Sequence, residues 1–277
     1  MRFLRWFIFS NCLISISAGL LAFGSAQFLR TEFESIFYGL FVFGATLFTY
    51  NFQRIVKLGF RDNQDLSSRN FWIGAHQLQL KLLSLVGLLL AAYIYFFYLF
   101  EFSTLLFLVP LLIISVFYAV RFFRRKNLRE LPYVKIHLIA FVWTSATVIL
   151  PAFDSETSFF IKIILALAVY LYILAIAIPF DIRDLRFDKE QQKTFPQIIG
   201  VRKSKRLAIF SALISCVFLL FCIDFEYLNS IVLCLAYSIQ IALILGSNQQ
   251  REELYFSGAI DGAIVLFALE LIFSTIN

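Results

Sequence analysis

Residues 163–188 read IILALAVYLYILAIAIPF followed by DIRDLRFD, an apolar run that changes abruptly into a cluster of acids and arginines. The run carries no charge and approaches the length of about 20 apolar residues that a helix needs to cross a hydrocarbon layer. The polar segment places carboxylates at positions 181, 184 and 188, a D-x-x-D-x-x-x-D spacing. The stretch therefore predicts a membrane helix that ends in an acid-rich segment.

The composition of the whole chain supports this interpretation. Of 277 residues, 61% are hydrophobic and 15% are charged, and the mean hydropathy is +0.83. Soluble domains are about 45–50% apolar, so the composition disfavours a water-soluble enzyme and a nucleic-acid-binding protein. In lipid, only helices and closed barrels satisfy their backbone groups, and the sequence lacks the alternation of a barrel strand. The predicted fold class is all-α.

Nine apolar runs predict a polytopic membrane protein with nine transmembrane helices, built as a single domain over residues 1–277. The ninth run is interrupted by Asp261 and Glu270. The runs are Trp6 to Leu29, Ser35 to Gln53, Leu82 to Phe100, Phe102 to Val120, Ile136 to Phe153, Ile163 to Phe180, Leu207 to Ile223, Tyr227 to Gln250 and Leu254 to Ile276.

Basic residues are distributed unevenly between the loops that join these runs. When alternate loops are assigned to opposite sides, 22 of the 24 Lys and Arg fall on one side and only Arg30 and Lys162 on the other. Because cytoplasmic loops are enriched in Lys and Arg, the amino terminus and the loops after the second and sixth runs are predicted to be cytoplasmic. We expect the plasma (inner) membrane of a bacterium. Topology then explains the net charge of +6 without nucleic acid or a protein partner.

The loops after the second and sixth runs are longer than a connection between neighbouring helices requires, and such loops are often functional. On a helix, Asp181, Asp184 and Asp188 would share one face and repel one another unless a cation lay among them. Mg²⁺ is the expected cation, since it binds carboxylates and substrate phosphates together. The alternative is a solvated helix end neutralised by Arg183 and Arg186.

A group of basic residues follows the acidic segment. Such residues suit the binding of a diphosphate, and they suit equally well a cytoplasmic flank that contacts lipid head groups. Spacing leaves both interpretations open. The residues are Lys189, Lys193, Arg202, Lys203, Lys205 and Arg206.

The acidic segment resembles the second aspartate-rich motif of the UbiA superfamily of intramembrane prenyltransferases. The likeness rests on DIRDLRFD at 181–188, followed by KTFP at 193–196 and by Gly200. That family also has nine helices, with aspartate motifs in the cytoplasmic loops after helices two and six, where the long loops of this chain lie. The segment from Tyr118 to Trp143 resembles, more loosely, the family's tyrosine-and-basic segment after helix four.

The resemblance implies a Mg²⁺-dependent transferase. In such enzymes, metal ions held by both aspartate motifs bind a prenyl diphosphate, and a lipophilic acceptor, often an aromatic ring, attacks the allylic carbon. The implied partners are a prenyl diphosphate, such an acceptor and membrane lipids. The implied residues are Asp181, Asp184 and Asp188 as catalytic metal ligands, and Lys193, Arg121, Arg124, Tyr118 and Asn51 as diphosphate contacts.

The first aspartate motif of the family is not kept in this chain. Its form, N-D-x-x-D-x-x-x-D, falls on residues 51–59, where the Asn is present as Asn51. Phe52, Ile55 and Gly59 occupy the three aspartate positions. In this register, the helix face that would hold a metal ion is apolar.

Arg54 and Lys57 are candidates to bind the diphosphate in place of a metal ion, since an Arg guanidinium matches phosphate oxygens well. At about 100° per residue, both lie on the opposite side of the helix in this register. We therefore expect that such a role requires the helix to unwind or rotate. Asp62 and Asp65 offer another source of oxygen ligands, although their spacing does not match the family motif.

Two alternatives to a prenyltransferase stay open. In the first, the protein is catalytically inactive and binds or carries an isoprenoid lipid without transferring it. In the second, it is a proton-coupled secondary transporter that uses Asp261 and Glu270, because ionisable residues within a membrane are costly and usually functional. The sequence shows no inverted repeat with paired broken helices, which disfavours the transporter.

Overall fold

A computed structural model describes the chain at residues 2–58, 68–120, 127–185, 192–222 and 227–275. Within these ranges the regular elements are helices, and one isolated β-bridge joins Thr31 to Ser155. The α-helices are α1 (Arg2–Phe9), α2 (Cys12–Phe28), α3 (Ser35–Leu58), α4 (Ser68–Ala75), α5 (Gln77–Ile94), α6 (Phe102–Phe117), α7 (Lys135–Thr144), α8 (Leu150–Ala152), α9 (Phe159–Asp184), α10 (Phe195–Leu220), α11 (Tyr227–Gly246) and α12 (Asp261–Phe273). The predicted all-α class is confirmed.

Short π-helical segments extend three of these helices into longer rods. Tyr95–Leu99 continues α5, Ser145–Ile149 joins α7 to α8, and Tyr255–Ile260 leads into α12. Most of the described part of each of the nine apolar runs therefore lies in a helix, a rod or a helix pair.

Five helical segments in the described ranges are long and apolar enough to cross a membrane, or six if the bent pair α1 and α2 is one span. The chain is thus an integral membrane protein. The number of nine spans stays a prediction, because α6 and the apolar part of α11 are shorter helices and α10 carries Lys and Arg in its first half. The five segments are Ser35–Lys57, Gln77–Leu99, Lys135–Ala152, Phe159–Asp184 and Tyr255–Phe273.

The sequence predicts one continuous helix for the first apolar run, but the structure contains two helices at an angle. α1 and α2 meet at an angle of 57°, and Asn11 between them has a φ of 63°. This left-handed conformation is one that Asn tolerates better than most residues. Asn11 donates a hydrogen bond from Nδ2 to Oδ1 of Asn51, at 2.8 Å. The bend is therefore attached to α3.

α9 is the central helix of the core. Its buried face runs from Ile164 to Ile182 and includes three alanines, whose small side chains let neighbouring helices approach closely. It packs against α7 and α10, and the packing continues through α11, α12 and α2 to α3 and α5. Tyr172 donates a hydrogen bond to the backbone oxygen of Ala263, which joins α9 to α12. The described part of the acidic motif, with Asp181 and Asp184, thus lies at the end of the central helix.

The two basic residues that were assigned to the outer side lie at a common end of the bundle. Arg30 follows α2, and Nζ of Lys162, near the start of α9, donates to the backbone oxygen of Ser155 at 2.6 Å. The β-bridge between Thr31 and Ser155 brings the two connections together. Which side of the membrane this end faces stays a prediction. The cytoplasmic cap of loops also stays a prediction, because residues 59–67 and 186–191 lie outside the described ranges.

α3 and α5 approach so closely that only glycine fits at their crossing. A Cβ atom on Gly44 would lie 2.8 Å from the carbonyl oxygen of Gly87, and a Cβ atom on Gly87 would lie 2.7 Å from that of Gly44. We expect Gly44→Ala to lower the free energy of unfolding by about 1–3 kcal/mol, because the helices must separate. Thermal unfolding of the purified protein in detergent measures this change.

Gly74→Ala is the matched control, since no described atom lies within 4 Å of a Cβ atom at this position in α4. Its melting temperature should equal or slightly exceed that of the unsubstituted protein. Equal melting temperatures for the two alanine variants would contradict the close crossing.

Candidate functional site

A cavity of about 180 Å³ opens among α2, α3, α7, α9 and α12, at the end of the bundle where α9 terminates. We call it the polar cavity. Two carboxylates, Asp184 and Asp261, lie in its wall together with six basic side chains. Among the described residues, positive charges therefore outnumber negative charges around the cavity. The basic residues are Arg54, Lys57, Arg69, Arg129, Lys135 and Arg183.

α9 carries the two described aspartates of the acidic motif on one side, as their spacing predicts. Asp181 is 1% exposed, and its Oδ1 lies 2.8 Å from Nζ of Lys135, the first residue of α7. The same Nζ lies 3.6 Å from Oδ2 of Asp184. Asp184 lines the polar cavity, whereas Asp181 does not. Lys135 is thus the cation that lies between the two acids.

Two arginines also bind Asp184. Nη2 of Arg129 lies 3.0 Å from Oδ2, and Nε of Arg183 lies 2.7 Å from Oδ1. Arg183 also reaches Glu253, whose Oε1 lies 3.0 Å from its Nη1. A buried carboxylate needs such partners, because removing its charge from water is costly. Arg183 therefore neutralises the acid, as the alternative interpretation expected, but the pair is half-buried at a cavity instead of solvated.

Arg69, near the start of α4, extends this network to the far wall of the cavity and is 4% exposed. Its Nη1 lies 2.6 Å from Oε1 of Glu253 and 2.6 Å from Oγ of Ser257. Its Nη2 donates to Oδ1 of Asn11 at 3.1 Å. Its Nε has no hydrogen-bond partner in the described part of the chain. No role for Arg69 was expected from the sequence, yet it supplies a buried donor at this site.

Asn51 does not line the polar cavity, although the family resemblance implied a contact with the diphosphate. It is fully buried, and its Oδ1 accepts the hydrogen bond from Asn11. Its Nδ2 donates to the backbone oxygens of Ser10 and Leu47. Its polar atoms are therefore occupied within the protein. Asn51 acts by positioning Asn11, which in turn binds Arg69.

Arg54 and Lys57 line the polar cavity without any unwinding of α3, which runs unbroken to Leu58. Of the two changes expected for such a role, unwinding and rotation, α3 shows rotation. In the register taken from Asn51, Phe52 and Ile55 would face the site, and neither of these residues lines the cavity. The helix is rotated relative to the assumed register.

The face that α3 presents to the cavity repeats the spacing of the family motif. Tyr50, Gln53 and Lys57 line the cavity and are separated as i, i+3 and i+7. These are the separations of the three aspartates in N-D-x-x-D-x-x-x-D, two residues earlier than the register taken from Asn51. On the cavity-facing side of α3, a phenol, an amide and an ammonium group therefore occupy positions with the same separations as the three aspartates of the family motif.

The other predicted diphosphate contacts have different positions. Tyr118 lines the polar cavity, and Nζ of Lys57 lies 5.5 Å from the centre of its ring. Lys193 is exposed, lies over the ring of Tyr133, and is not part of the cavity wall. Several predicted residues lie outside the described ranges, namely Arg121, Arg124, Asp188, Asp62 and Asp65.

The two acids of the ninth run lie apart. Asp261 is the first residue of α12 and lines the polar cavity, whereas Glu270 lines neither this cavity nor the apolar one described below. Both carboxylate oxygens of Glu270 lack a hydrogen-bond partner within the described ranges. At 1.5 Å per residue the two acids are about 13 Å apart along the helix. No direct proton transfer between them is possible at this separation.

A second cavity, of about 280 Å³, lies among α3, α5, α6 and the rod formed by α7. We call it the apolar cavity, because its wall is almost entirely hydrocarbon and aromatic. It shares five wall residues with the polar cavity, so that the two adjoin: Thr49, Tyr50, Ser115, Val142 and Trp143. At this junction Nε1 of Trp143 donates to the hydroxyl of Tyr50 at 3.1 Å.

The described side chains do not fit Mg²⁺ held between two acidic motifs. Within the described ranges there is no group of three or more His, Cys, Asp or Glu suited to a metal ion. Asp181 and Asp184 each lie within 3.0 Å of a Lys or Arg nitrogen, and α3 contributes Arg54 and Lys57 to the wall instead of the carboxylates that Mg²⁺ favours. Asp188 lies outside the described ranges, so a metal ion bound there stays a prediction.

Glu253 is the shared counter-ion of this network. Burial alone would raise the pKa of Glu253, but the positive charges of Arg183, Arg69 and Arg54 outweigh that effect and hold its pKa below the ordinary value. We expect Glu253→Gln to destabilise the protein by about 2 kcal/mol at pH 7, because two buried arginines lose their partner. Glu252→Gln, at the exposed neighbouring position, is the control.

This stabilisation should depend on pH in a defined direction. Because the pKa of Glu253 is lower in the folded than in the unfolded state, its contribution is present near pH 7 and decreases as the pH falls below about 4. Melting curves of Glu253→Gln and the unsubstituted protein should therefore converge on acidification. A difference that stays constant at pH values well below about 4, or that is equally large for Glu252→Gln, would argue against the assigned pairing.

Two solved structures resemble the chain over nearly its whole length. The apo structure of a UbiA homolog from Aeropyrum pernix K1 has a TM-score of 0.67 and 16% sequence identity, and the match covers 92% of this chain and 95% of that one. A structure from work on digeranylgeranylglyceryl phosphate synthase in membranes has a TM-score of 0.58 and 18% identity, with 98% of each chain covered. No family model and no curated protein sequence matches the chain. The likeness to solved structures confirms that the chain has the fold of the UbiA superfamily.

Proposed function

We propose that this protein transfers a prenyl group from a prenyl diphosphate to a lipophilic acceptor within the membrane. One observation carries the proposal: a cavity lined by six cations adjoins an apolar cavity in a bundle with the UbiA fold. A prenyl diphosphate has the same two parts, an anionic head and a hydrocarbon tail. The chemistry implied by the sequence resemblance agrees with this match.

The cations of the polar cavity suit the departure of a diphosphate. In the reaction, the allylic carbon–oxygen bond breaks and its electron pair leaves with the diphosphate. The acceptor then bonds to the allylic carbon and releases a proton. Negative charge grows on the leaving oxygen, so fixed cations stabilise the transition state more than the ground state. Asp184 holds Arg129 and Arg183 in place before the substrate arrives.

The junction of the two cavities is where the allylic carbon would lie. Tyr50 and Trp143 stand there, and the faces of their rings can stabilise a carbocation. The apolar wall would hold the tail and exclude water, which otherwise captures the cation. An aromatic acceptor fits the same surroundings.

The orientation is part of the proposal. The polar cavity lies at the end of the bundle where the second and sixth apolar runs lead into basic loops, and the positive-inside rule places those loops in the cytoplasm. A diphosphate made in the cytoplasm would then enter directly. The plasma membrane of a bacterium is the proposed location.

Proteoliposomes containing the protein should transfer a radiolabelled prenyl group from its diphosphate to an extractable aromatic acceptor. Asp184→Ala and Asp181→Ala should each reduce this transfer by about a hundredfold or more, because Lys135, Arg129 and Arg183 lose the carboxylates that orient them. The exposed Glu252→Gln variant should retain full activity.

Unchanged turnover in both aspartate variants would refute the roles assigned to these acids. Retention of prenyl diphosphate without product, across acceptors of different chemistry, would instead support the alternative of an isoprenoid-binding protein that transfers nothing. Failure to retain any prenyl diphosphate would overturn both.

The apolar cavity should limit the length of the prenyl chain. Ala92 of α5 lies in its wall, so Ala92→Phe fills part of the space for the tail. We expect KM to rise more for a long prenyl diphosphate than for a short one, with a smaller change in kcat. Ala75→Phe, at an exposed position of α4, is the control. Equal changes of KM for both chain lengths would place the tail elsewhere.

A further inference from the structure

We propose that the polar cavity binds the diphosphate head through its own side-chain cations and does not need a divalent metal ion for this binding. The inference rests on the proposed function, since it concerns the head group of the same substrate. It is drawn from the poor fit of the described side chains to Mg²⁺ and from the cations that occupy the α3 face instead.

The first argument is the reversal of charge on α3. The face with the i, i+3, i+7 spacing carries Tyr50, Gln53 and Lys57, and Arg54 stands beside it. Carboxylates at such positions would bind a diphosphate only through a bridging cation, because both groups are anionic. An ammonium and a guanidinium group bind phosphate oxygens directly. The metal bridge is therefore unnecessary on this wall.

The second argument is that several donors at the cavity are not used within the protein. Within the described ranges, neither Arg54 nor Lys57 forms an ion pair, and Nζ of Lys57 lies 5.5 Å from the centre of the Tyr118 ring. The buried Nε of Arg69 also lacks a partner within the described ranges. A buried donor left unpaired is costly. An anion in the cavity would satisfy these groups.

The third argument is the balance of charge. Six cations line the cavity, against Asp184 and Asp261 in the wall. Asp181 and Glu253, which pair with Lys135, Arg69 and Arg183, bring the described acids of the network to four. The positive excess repels a divalent cation that arrives alone and attracts a multiply charged anion. The cavity is thus an anion site before any metal ion enters.

The first experiment measures binding of farnesyl thiolodiphosphate, in which sulfur replaces the bridging oxygen and slows cleavage. The purified full-length protein in nanodiscs is titrated in EDTA and, separately, in Mg²⁺. We expect the two Kd values to agree within about threefold. Farnesol, which has the tail without the head, should bind at least about tenfold more weakly in EDTA, and inorganic pyrophosphate should displace the probe in EDTA.

The outcomes separate this inference from the proposed function. Binding in Mg²⁺ that is lost or weakened more than about tenfold in EDTA would overturn metal-free binding and leave the prenyl diphosphate as substrate. Equal binding of farnesol and the thiolodiphosphate would also overturn it, because the tail alone would explain the affinity. Absence of binding in both buffers would overturn the proposed function as well.

Charge-removing variants locate the site. Lys57→Gln and Arg54→Gln should each weaken binding of the thiolodiphosphate in EDTA by about tenfold, which is the loss of one charge-assisted contact. Lys203→Gln and Arg202→Gln are matched controls, because both residues are exposed on α10 and neither lines the cavity. If the control variants weaken binding of the thiolodiphosphate as much as the cavity variants do, general surface charge, and not the cavity, attracts the probe.

A variant designed to make binding depend on Mg²⁺ completes the test. The double substitution Gln53→Asp and Lys57→Asp puts two carboxylates on the α3 face at an i, i+4 separation. Binding should then require Mg²⁺, with a Kd in EDTA at least about tenfold weaker than in Mg²⁺. Metal-independent binding in a correctly folded double variant would count against the role of this face. If the variant does not fold, as judged by its elution and melting, the glutamine variants decide the question.

Discussion

Burial of charge at one end of an apolar helical bundle is the constraint on which the site depends. A charged group removed from water must be paired, so each cation and each acid at this end fixes the position of another. The chain of contacts runs from Asp181 through Lys135 to Asp184, and from Asp184 through Arg183 to Glu253. Its members come from α7, α9 and the segment before α12, which therefore cannot shift independently.

The same constraint explains why α3 can present unpaired cations. The acids of α9 are already neutralised by Lys135, Arg129 and Arg183, so they do not need Arg54 or Lys57. Those two side chains add positive charge to a wall that is already balanced. A cavity built in this way has an electrostatic preference for an anion, and the preference comes from the protein itself.

Much of the fold could be predicted from the sequence, because apolar length and the run of acids after Phe180 are local signals. The spacing of Asp181 and Asp184 also predicted their common face. The register of α3 could not be predicted, although rotation was one of the two changes considered. Aligning a degenerate motif on Asn51 assumes which side chains face the site, whereas the packing of α3 against its neighbours determines it. Arg69 was missed for a similar reason: it belongs to the site only because Asn11 and Glu253, distant in sequence, hold it there.

The position of Arg69 shows how site and fold are coupled. Its donors bind Asn11 at the bend between α1 and α2, and Glu253 and Ser257 before α12. Asn11 in turn is held by Asn51 of α3. The guanidinium group therefore joins both ends of the chain to α3, and its remaining Nε is left for the cavity. Because these contacts are buried or partly buried and join distant helices, the cavity acquires its charge only when those helices have docked. The anion site and the packed bundle therefore form together.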